Sequence, residues 1–245
     1  AGYDVAAVVT QPDKPKGRGK SLLPTPVKEE ALLHEIPVYQ PQRVRNNREF
    51  LDTLREIAPD VIVVAAFGQI IPRDVLELPK YGCINIHASL LPKYRGAAPI
   101  QQAVLDGEKE SGVTIMQMGE GLDTGDMISK IVIPLEKEET GGSLFAKLAQ
   151  EGAELLLKTL PSIEQGTAVW ETQTEESPTP YAAMINKKMG LMDFHKSAVE
   201  LERLVRGLNP WPSAYTFVNG KTLKVWKSRA DEKCSGEAPG TVVLT

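Results

Sequence analysis

The segment from Tyr81 to Pro92, YGCINIHASLLP, reads as a short apolar strand that ends in a loop. Side chains two residues apart point to the same face of a strand, so Asn85 and His87 would lie side by side where this strand ends. In open α/β sheets, ligands bind beyond the carboxyl ends of the strands. A single histidine on a strand is more often an ordinary core or surface residue, but the neighbouring amide makes both residues candidates for a functional site.

Strands and helices alternate along the chain on both sides of this segment. Such alternation predicts an α/β fold, with a Rossmann-like, mostly parallel sheet flanked by helices. The run at residues 61–66, VIVVAA, has no polar side chain, which is typical of a central strand buried on both faces. The expected strands are residues 5–9, 61–66, 83–87, 113–116 and 127–135, and the expected helices are residues 27–34, 50–57, 99–105, 144–160 and 197–207.

The sequence changes character after Trp170. Residues 171–180 are polar and end in SPTP, a composition typical of extended linkers. Further on, Asn219-Gly220 separates two strand-like runs at residues 214–218 and 223–227, which predicts a β-hairpin. We therefore expect a catalytic domain at residues 1–166, a linker at residues 167–186 and a small β domain at residues 187–245.

The composition, 42% hydrophobic and 24% charged over 245 residues, is that of an ordinary globular protein. No apolar run approaches the roughly 20 residues that cross a bilayer. The net charge of −4 is unlike that of a general nucleic-acid coat, although a local basic patch can still bind phosphates. Cys83 and Cys234 do not suggest a disulfide framework, and no metal-binding, dinucleotide or P-loop spacing occurs. We expect a cytoplasmic protein.

A second candidate motif, GEGLDTGD, occupies residues 119–126. Asp123-Thr124-Gly125 also occurs in aspartic proteases, but those enzymes need two facing aspartates and this chain has one copy. Two interpretations remain: a tight turn built by Asp and Gly, or a loop whose glycines let the backbone approach a flat ligand. The amide of Asn85, the imidazole of His87 and the carboxylate of Asp123 would together suit acyl transfer.

The third feature is a basic loop within residues 11–20, QPDKPKGRGK. Most basic loops are merely solvated. The more specific interpretation is that the loop binds phosphates, because lysine and arginine carry the salt-sensitive part of nucleic-acid affinity. The cations of this loop are Lys14, Lys16, Arg18 and Lys20.

Residues 85–99, NIHASLLPKYRGAAP, resemble the hallmark of the folate-dependent formyltransferases. The similarity continues through GVTIM at residues 112–116 and GLDTGDM at residues 121–127. The basic loop, together with NPWP at residues 209–212 before the β domain, is most similar to members that act on methionyl-tRNA. The resemblance also implies that the family's first strand is missing and that an OB-like C-terminal β-barrel is incomplete, so we expect a chain truncated at both ends.

The resemblance implies transfer of a formyl group from 10-formyltetrahydrofolate to the α-amine of methionyl initiator tRNA, with no metal. It implies that Asn85, His87 and Asp123 are catalytic, and that the protein is a monomer. The folate contacts that we expect are Phe67, Gly68, Ser89, Leu90, Leu91, Pro92, Gly119, Gly121 and Leu122. The tRNA contacts that we expect are Lys14, Lys16, Arg18 and Lys20, with Lys221, Lys224 and Lys227 on the hairpin.

Three alternatives stay open at this point. The chain could formylate a small amine, or it could hydrolyse formyltetrahydrofolate, and the basic loop and β domain speak against both. It could also be a non-catalytic RNA-binding protein that has kept the fold. The presence of the full Asn85, His87 and Asp123 set argues against that third reading, because pure binding does not need it.

Overall fold

The computed structural model describes residues 2–16, 21–231 and 236–243. The α/β class predicted from the sequence is confirmed. The strands are β1 (Val8–Val9), β2 (Lys14–Lys16), β3 (Ser21–Leu23), β4 (Val38–Tyr39), β5 (Ile62–Val64), β6 (Cys83–His87), β7 (Glu110–Gln117), β8 (Met127–Pro134), β9 (Ala214–Val218) and β10 (Lys221–Val225). The helices are α1 (Pro26–Leu33), α2 (Arg48–Ile57), α3 (Arg73–Leu76), α4 (Pro99–Asp106), α5 (Gly141–Glu164) and α6 (Ala198–Gly207), with a 3-10 helix at Lys187–Gly190.

The central sheet has four strands in the order β5-β6-β7-β8. β5 and β6 are parallel, whereas β7 is antiparallel to both β6 and β8. The mostly parallel sheet that we predicted is therefore wrong, and the sheet is mixed. The connection between β6 and β7, residues 88–109, leaves and re-enters the sheet at the same end. Alternation of strands and helices does not reveal the direction in which a strand re-enters.

The main core lies between this sheet and α5. Ile84, Val113 and Ile115 of the sheet pack with Leu144 and Leu148 of the helix, and all five are buried. These residues place α5 on the face of β6 that carries Ile84. Asn85 and His87 lie on the opposite face of β6, which α5 does not cover.

The helix α5 runs further than the sequence predicts. We expected it to stop at Leu160, before Pro161, but it continues to Glu164. Ile163 is buried in the main core, and this packing holds the last turn in place. At one position near the middle, Gly152, a Cβ atom would lie 2.9 Å from Cγ2 of Ile86, so the glycine allows close packing of α5 on β6.

The strand β5 differs most from its prediction. It is shorter than residues 61–66 and lies at the edge of the four-stranded sheet, where Val63 is 40% exposed. The central, doubly buried strand that we expected is thus wrong for the described sheet. An apolar run favours burial but does not specify how many strands pair with it. β1 and β4 form a separate parallel pair beside it.

The C-terminal part begins with α6, which packs against α4. Arg203 of α6 donates a hydrogen bond from Nη1 to the carbonyl of Asp106 at the end of α4, at 3.1 Å. The predicted hairpin is confirmed, with Val218 paired to Lys221 around the turn. In the part of the chain that the structure describes, these strands do not close into a barrel, so the OB-like barrel stays a prediction.

Residues 171–182, which we call the strap, connect the two parts. Glu171 pairs with Met127 of β8 through two backbone hydrogen bonds of 2.8 Å. Ala182 donates its N–H to the carbonyl of Arg95 at 2.8 Å, and its own carbonyl accepts from Ala97. The strap therefore lies along the loop that follows β6. Among the described helices, none has the length and apolarity that crossing a membrane requires.

Candidate active site

Asn85 and His87 lie on one face of β6 at its carboxyl end, as their spacing predicts. In β7, Met116 lies opposite Asn85 and Thr114 lies opposite His87. Both side chains are nearly enclosed, with 9% of Asn85 and 5% of His87 exposed. The strand thus presents an amide and an imidazole together in a largely dry setting.

Both ring nitrogens of His87 face acceptors. Nε2 lies 3.1 Å from the carbonyl oxygen of Tyr94, which can only accept, so Nε2 carries a hydrogen. Nδ1 lies 3.7 Å from Oδ1 of Asp123. This separation is longer than a direct hydrogen bond, and a bridging water or a small movement would complete it. The ring is thus fixed on its Nε2 side and faces the Asp123 carboxylate with its Nδ1 side.

Asp123 is held in a strained backbone conformation. Its φ of 53° lies in the left-handed region, which costs most non-glycine residues about 1–3 kcal/mol and persists only where the surrounding structure offsets that cost. The N–H of Gly96 donates to Oδ2 of Asp123 at 2.9 Å. A Cβ atom at Gly125 would overlap the carbonyl oxygen of Gln117, so only glycine lets the loop close this tightly. The loop after β7 therefore folds back across β6 and brings Asp123 to His87.

The carboxamide of Asn85 is available for a ligand. Across the residues that the structure describes, no group forms a hydrogen bond with this carboxamide, and its polar atoms are not sealed from solvent. A nearly enclosed amide without a protein partner is a donor that can meet a developing negative oxygen. The positive charge that His87 can carry lies beside it on the same strand face.

The residues expected to contact folate fall into two groups. Ser89 and Leu91 are buried: the Ser89 hydroxyl donates to the carbonyl of Lys93 at 2.7 Å, and Leu91 packs against Met116 and Met127. The other residues lie on partly or fully exposed loops near the strand ends, and Leu122 is 58% exposed. These others are Phe67, Gly68, Leu90, Pro92, Gly119, Gly121 and Leu122.

Gly119 also lines an open cleft of about 650 Å³. Gly82 and Gln117 are in its wall, and Gln117 pairs with Ile84 near the beginning of β6. The cleft therefore lies toward the end of β6 that is opposite to His87. Asn85, His87 and Asp123 do not line this cleft.

The basic loop is described only at its base. Lys14 is exposed and donates to Oε1 of Gln11 at 2.6 Å, and the side chain of Gln11 donates to the carbonyl of Phe67. The backbone of Lys16 pairs with Ser21. Arg18 and Lys20, which we expected to contact tRNA, lie outside the described residues, as does Cys234. The base of the loop is thus joined to the Phe67 loop near the carboxyl end of β5.

Comparisons with known proteins identify the family of the chain. A family profile described as Formyl transferase matches residues 1–160, and one described as Formyl transferase, C-terminal domain, matches residues 184–245. The methionyl-tRNA formyltransferase of Agathobacter rectalis is 55% identical over 242 residues, which are 99% of this chain and 77% of that protein. The one of Bacillus subtilis is 51% identical over 242 residues, covering 99% and 76%. The chain belongs to the methionyl-tRNA formyltransferase family.

A solved structure carries the same fold at lower identity. The 4-N formyltransferase from Francisella tularensis superposes with a TM-score of 0.68 at 22% identity, covering 84% of this chain and 82% of that chain. At this identity the likeness concerns the fold alone. The resemblance to the folate-dependent formyltransferases, stated above from residues 85–127, is confirmed for the methionyl-tRNA formyltransferase family.

Two further residues border this candidate site, and no local sequence pattern predicts a role for either. Arg95 and Gln173 are both buried, and their side chains meet at 3.0 Å between Nε and Oε1. Arg95 is part of the motif at residues 85–99 that resembles the family, but the motif does not indicate what its side chain does. Gln173 stands in the segment that we interpreted as a linker, where no local pattern indicates burial.

A network beside the site is structural in character. The hydroxyl of Tyr94 donates to the carboxylates of Asp106 and Glu108, each at 2.9 Å. Burial and these two carboxylates raise the pKa of Tyr94. Burial opposes ionisation of Glu108, but hydrogen bonds from Lys93 and Tyr94 outweigh it and lower the pKa of Glu108. The network holds Tyr94 in place, and the backbone carbonyl of Tyr94 accepts the hydrogen bond from Nε2 of His87.

Proposed function

We propose that this protein transfers the formyl group of 10-formyltetrahydrofolate to the α-amine of methionyl initiator tRNA. The observation that carries the proposal is the identity of 55% and 51% to two methionyl-tRNA formyltransferases over nearly the whole chain. The meeting of Asn85, His87 and Asp123 at one strand end supports it. Transfer of an acyl group requires such groups around the attacked carbon.

In the proposed reaction, the methionyl amine attacks the formyl carbon and a tetrahedral intermediate with a negative oxygen forms. The new bond joins the formyl carbon to the amine, and the bond from that carbon to N10 of the folate breaks. One proton leaves the amine and reaches N10. The folate supplies the activated carbon, so the residues of this chain need only orient the reactants, stabilise charge and move the proton.

Each of the three residues has a distinct part in this proposal. Asn85 donates its free amide N–H to the negative oxygen. His87, with both nitrogens directed at acceptors, acts through its positive charge and exchanges the proton through water on its looser Nδ1 side. Asp123 orients the ring, as a carboxylate does beside a catalytic histidine elsewhere.

The two substrates are proposed to contact different loops around this point. The pterin of the folate packs against the loop of Gly119, Gly121 and Leu122 and against Phe67 and Gly68. Because Ser89 and Leu91 point into the interior, they contribute through their backbone and through the shape of the loop. The basic loop around Lys14 and Lys16 guides the aminoacyl end of the tRNA, and the hairpin lysines contact its body.

We place the reaction in the cytoplasm, where initiator tRNA is used, and we predict a monomer.

The test is an assay that follows all possible products at once. The purified protein is incubated with 10-formyltetrahydrofolate and either methionyl initiator tRNA or free methionine, and formylated products and free formate are quantified. Formylation of the charged tRNA but not of free methionine would support the proposal. Formate release without transfer, or modification of the free amine alone, would contradict it and favour a hydrolase or a small-amine formyltransferase.

A further inference from the structure

One side chain from outside the loop holds the backbone around Asp123. Nε2 of Gln173 donates to the carbonyl of Asp123 at 3.0 Å and to the carbonyl of Gly125 at 2.7 Å. These bonds span the strained residue and fix the backbone on both sides of Thr124. Both hydrogens of one amide group are therefore used on the loop that faces His87.

The direction of that amide is set by Arg95. Nε of Arg95 donates to Oε1 of Gln173 at 3.0 Å, and a guanidinium group has no acceptor. The oxygen of the Gln173 side chain must therefore face Arg95, which leaves Nε2 to face the two carbonyls. If the amide were turned round, its nitrogen would face the Nε–H of Arg95 and its oxygen would face the two carbonyl oxygens.

Arg95 is itself fixed by the strap. Its Nη2 donates to the carbonyl of Thr174 at 2.7 Å, and its Nη1 donates to the carbonyl of Glu175 at 3.1 Å. Every nitrogen of the guanidinium thus has an acceptor, and all of these acceptors are in residues 173–175. Gly96, directly after Arg95, donates to the Asp123 carboxylate. The backbone and side chain of Asp123 are both held by this one assembly.

We infer that Gln173 and Arg95 are positioning residues for the formyl-transfer reaction: they hold Asp123 against His87 from the strap. This inference rests on the proposed function. It assigns a part in catalysis to a segment that lies between the regions matched by the two family profiles, residues 1–160 and 184–245. Neither residue touches the reacting atoms, and both act through Asp123.

Gln173→Glu separates this role from packing. The carboxylate has the same shape and keeps its contact with Arg95, now as an ion pair, so the strap remains in place. It cannot donate, and its second oxygen would face the carbonyls of Asp123 and Gly125. We expect Asp123 to move away, and a displacement of about 1 Å at a catalytic group can lower the rate about 10²-fold.

The experiment is a double-mutant cycle on kcat for formylation of methionyl-tRNA, with Gln173→Glu, Asp123→Asn and both together. Gln165→Glu, an exposed position just after α5, adds the same charge and serves as the control. We expect kcat to fall about 10²-fold for Gln173→Glu with little change in either KM. In the Asp123→Asn background, the same substitution should change kcat by no more than about twofold, because the Asp123 carboxylate through which Gln173 acts is already absent.

If the wild type formylates methionyl-tRNA, two results would overturn the inference. One is a kcat for Gln173→Glu close to that of Gln165→Glu. The other is the same fold-loss in the Asp123→Asn background as in the wild type, which would show that Gln173 acts by another route. If Gln173→Glu does not fold, Gln173→Met removes the donors without adding charge and is measured in the same cycle. Absence of formyl transfer by the wild type would instead refute the proposed function.

Discussion

The candidate active site and the C-terminal hairpin are built in opposite ways. At the site, buried side chains are each held by partners from distant segments, as His87 is by Tyr94 and Asp123. On the hairpin, large side chains stand in solvent: Phe217 is 56% exposed and Trp226 is 51% exposed. The ammonium of Lys224 lies 5.5 Å from the centre of the Trp226 ring. The site thus holds its polar groups at fixed points, whereas the hairpin leaves apolar and basic side chains open to solvent, in keeping with the tRNA contact that we propose for it.

The largest expected effect is that of Asn85→Ala at the site. Loss of a donor to a developing negative oxygen typically lowers kcat about 10²–10³-fold. Because the carboxamide has no hydrogen-bond partner among the described residues, the variant should fold, and KM should change little. Steady-state formylation and thermal unfolding are measured together. A kcat close to that of the wild type would remove Asn85 from the reaction.

The next largest effect is expected from two glycine substitutions, one at the site and one in the hairpin turn. At Gly125, a Cβ atom would strike the Gln117 carbonyl and displace the loop of Asp123, so Gly125→Ala should lower kcat about 10²-fold. Gly220, in the hairpin turn, has open space around it but a φ of 75°. Gly220→Ala should cost about 1–2 kcal/mol of unfolding free energy and leave kcat unchanged. Equal effects on kcat would erase the distinction between the two regions.

The junction between the regions supplies a pH-dependent prediction. Glu139 is buried, Lys147 meets its carboxylate at 2.6 Å, and Arg206 of α6 donates to its carbonyl. Burial alone would raise the pKa of Glu139, but hydrogen bonds from Lys147 and Ser143 lower it below the ordinary 4.5. A carboxylate with a lowered pKa stabilises the fold above the unfolded pKa, and this stabilisation is lost as the pH falls through 4.5 and below.

Glu139→Gln should therefore lower the free energy of unfolding by about 1–3 kcal/mol near neutral pH and make its decline in acid shallower. The control is Glu136→Gln, because Glu136 meets the same Lys147 at 3.0 Å but is exposed. That variant should change stability by no more than about 0.5 kcal/mol. Urea unfolding near neutral and in mild acid measures both. An unchanged acid slope in Glu139→Gln would contradict this assignment.

The smallest expected effect is that of Lys224→Ala on the hairpin. Removal of one phosphate contact should raise KM for methionyl-tRNA a few-fold and reduce its salt slope by about 1, with kcat unchanged. Lys158→Ala on the exposed side of α5 is the matched control and should do neither. Formylation at several salt concentrations gives both quantities. A fall in kcat without a change in salt slope would place Lys224 in the chemical rather than the binding region.

The sequence predicts those features that depend on short spacings. Asn85 and His87 follow from the two-residue period of a strand, and the hairpin follows from Asn219-Gly220. The antiparallel direction of β7 and the edge position of β5 depend on how distant segments meet, which no local pattern records. The same holds for Gln173, which meets Arg95 across 78 residues of sequence. Arg18 and Lys20, predicted to bind tRNA, stay predictions.

The most direct test of the account is a crystal structure with a non-transferable 10-formyl folate analogue. We predict that the formyl oxygen lies about 2.7–3.1 Å from Nδ2 of Asn85, with His87 beside it. The pterin would then lie between the Phe67 and Leu122 loops. An analogue whose formyl group lies instead in the cleft near Gln117, with the Asn85 amide still free, would contradict the account.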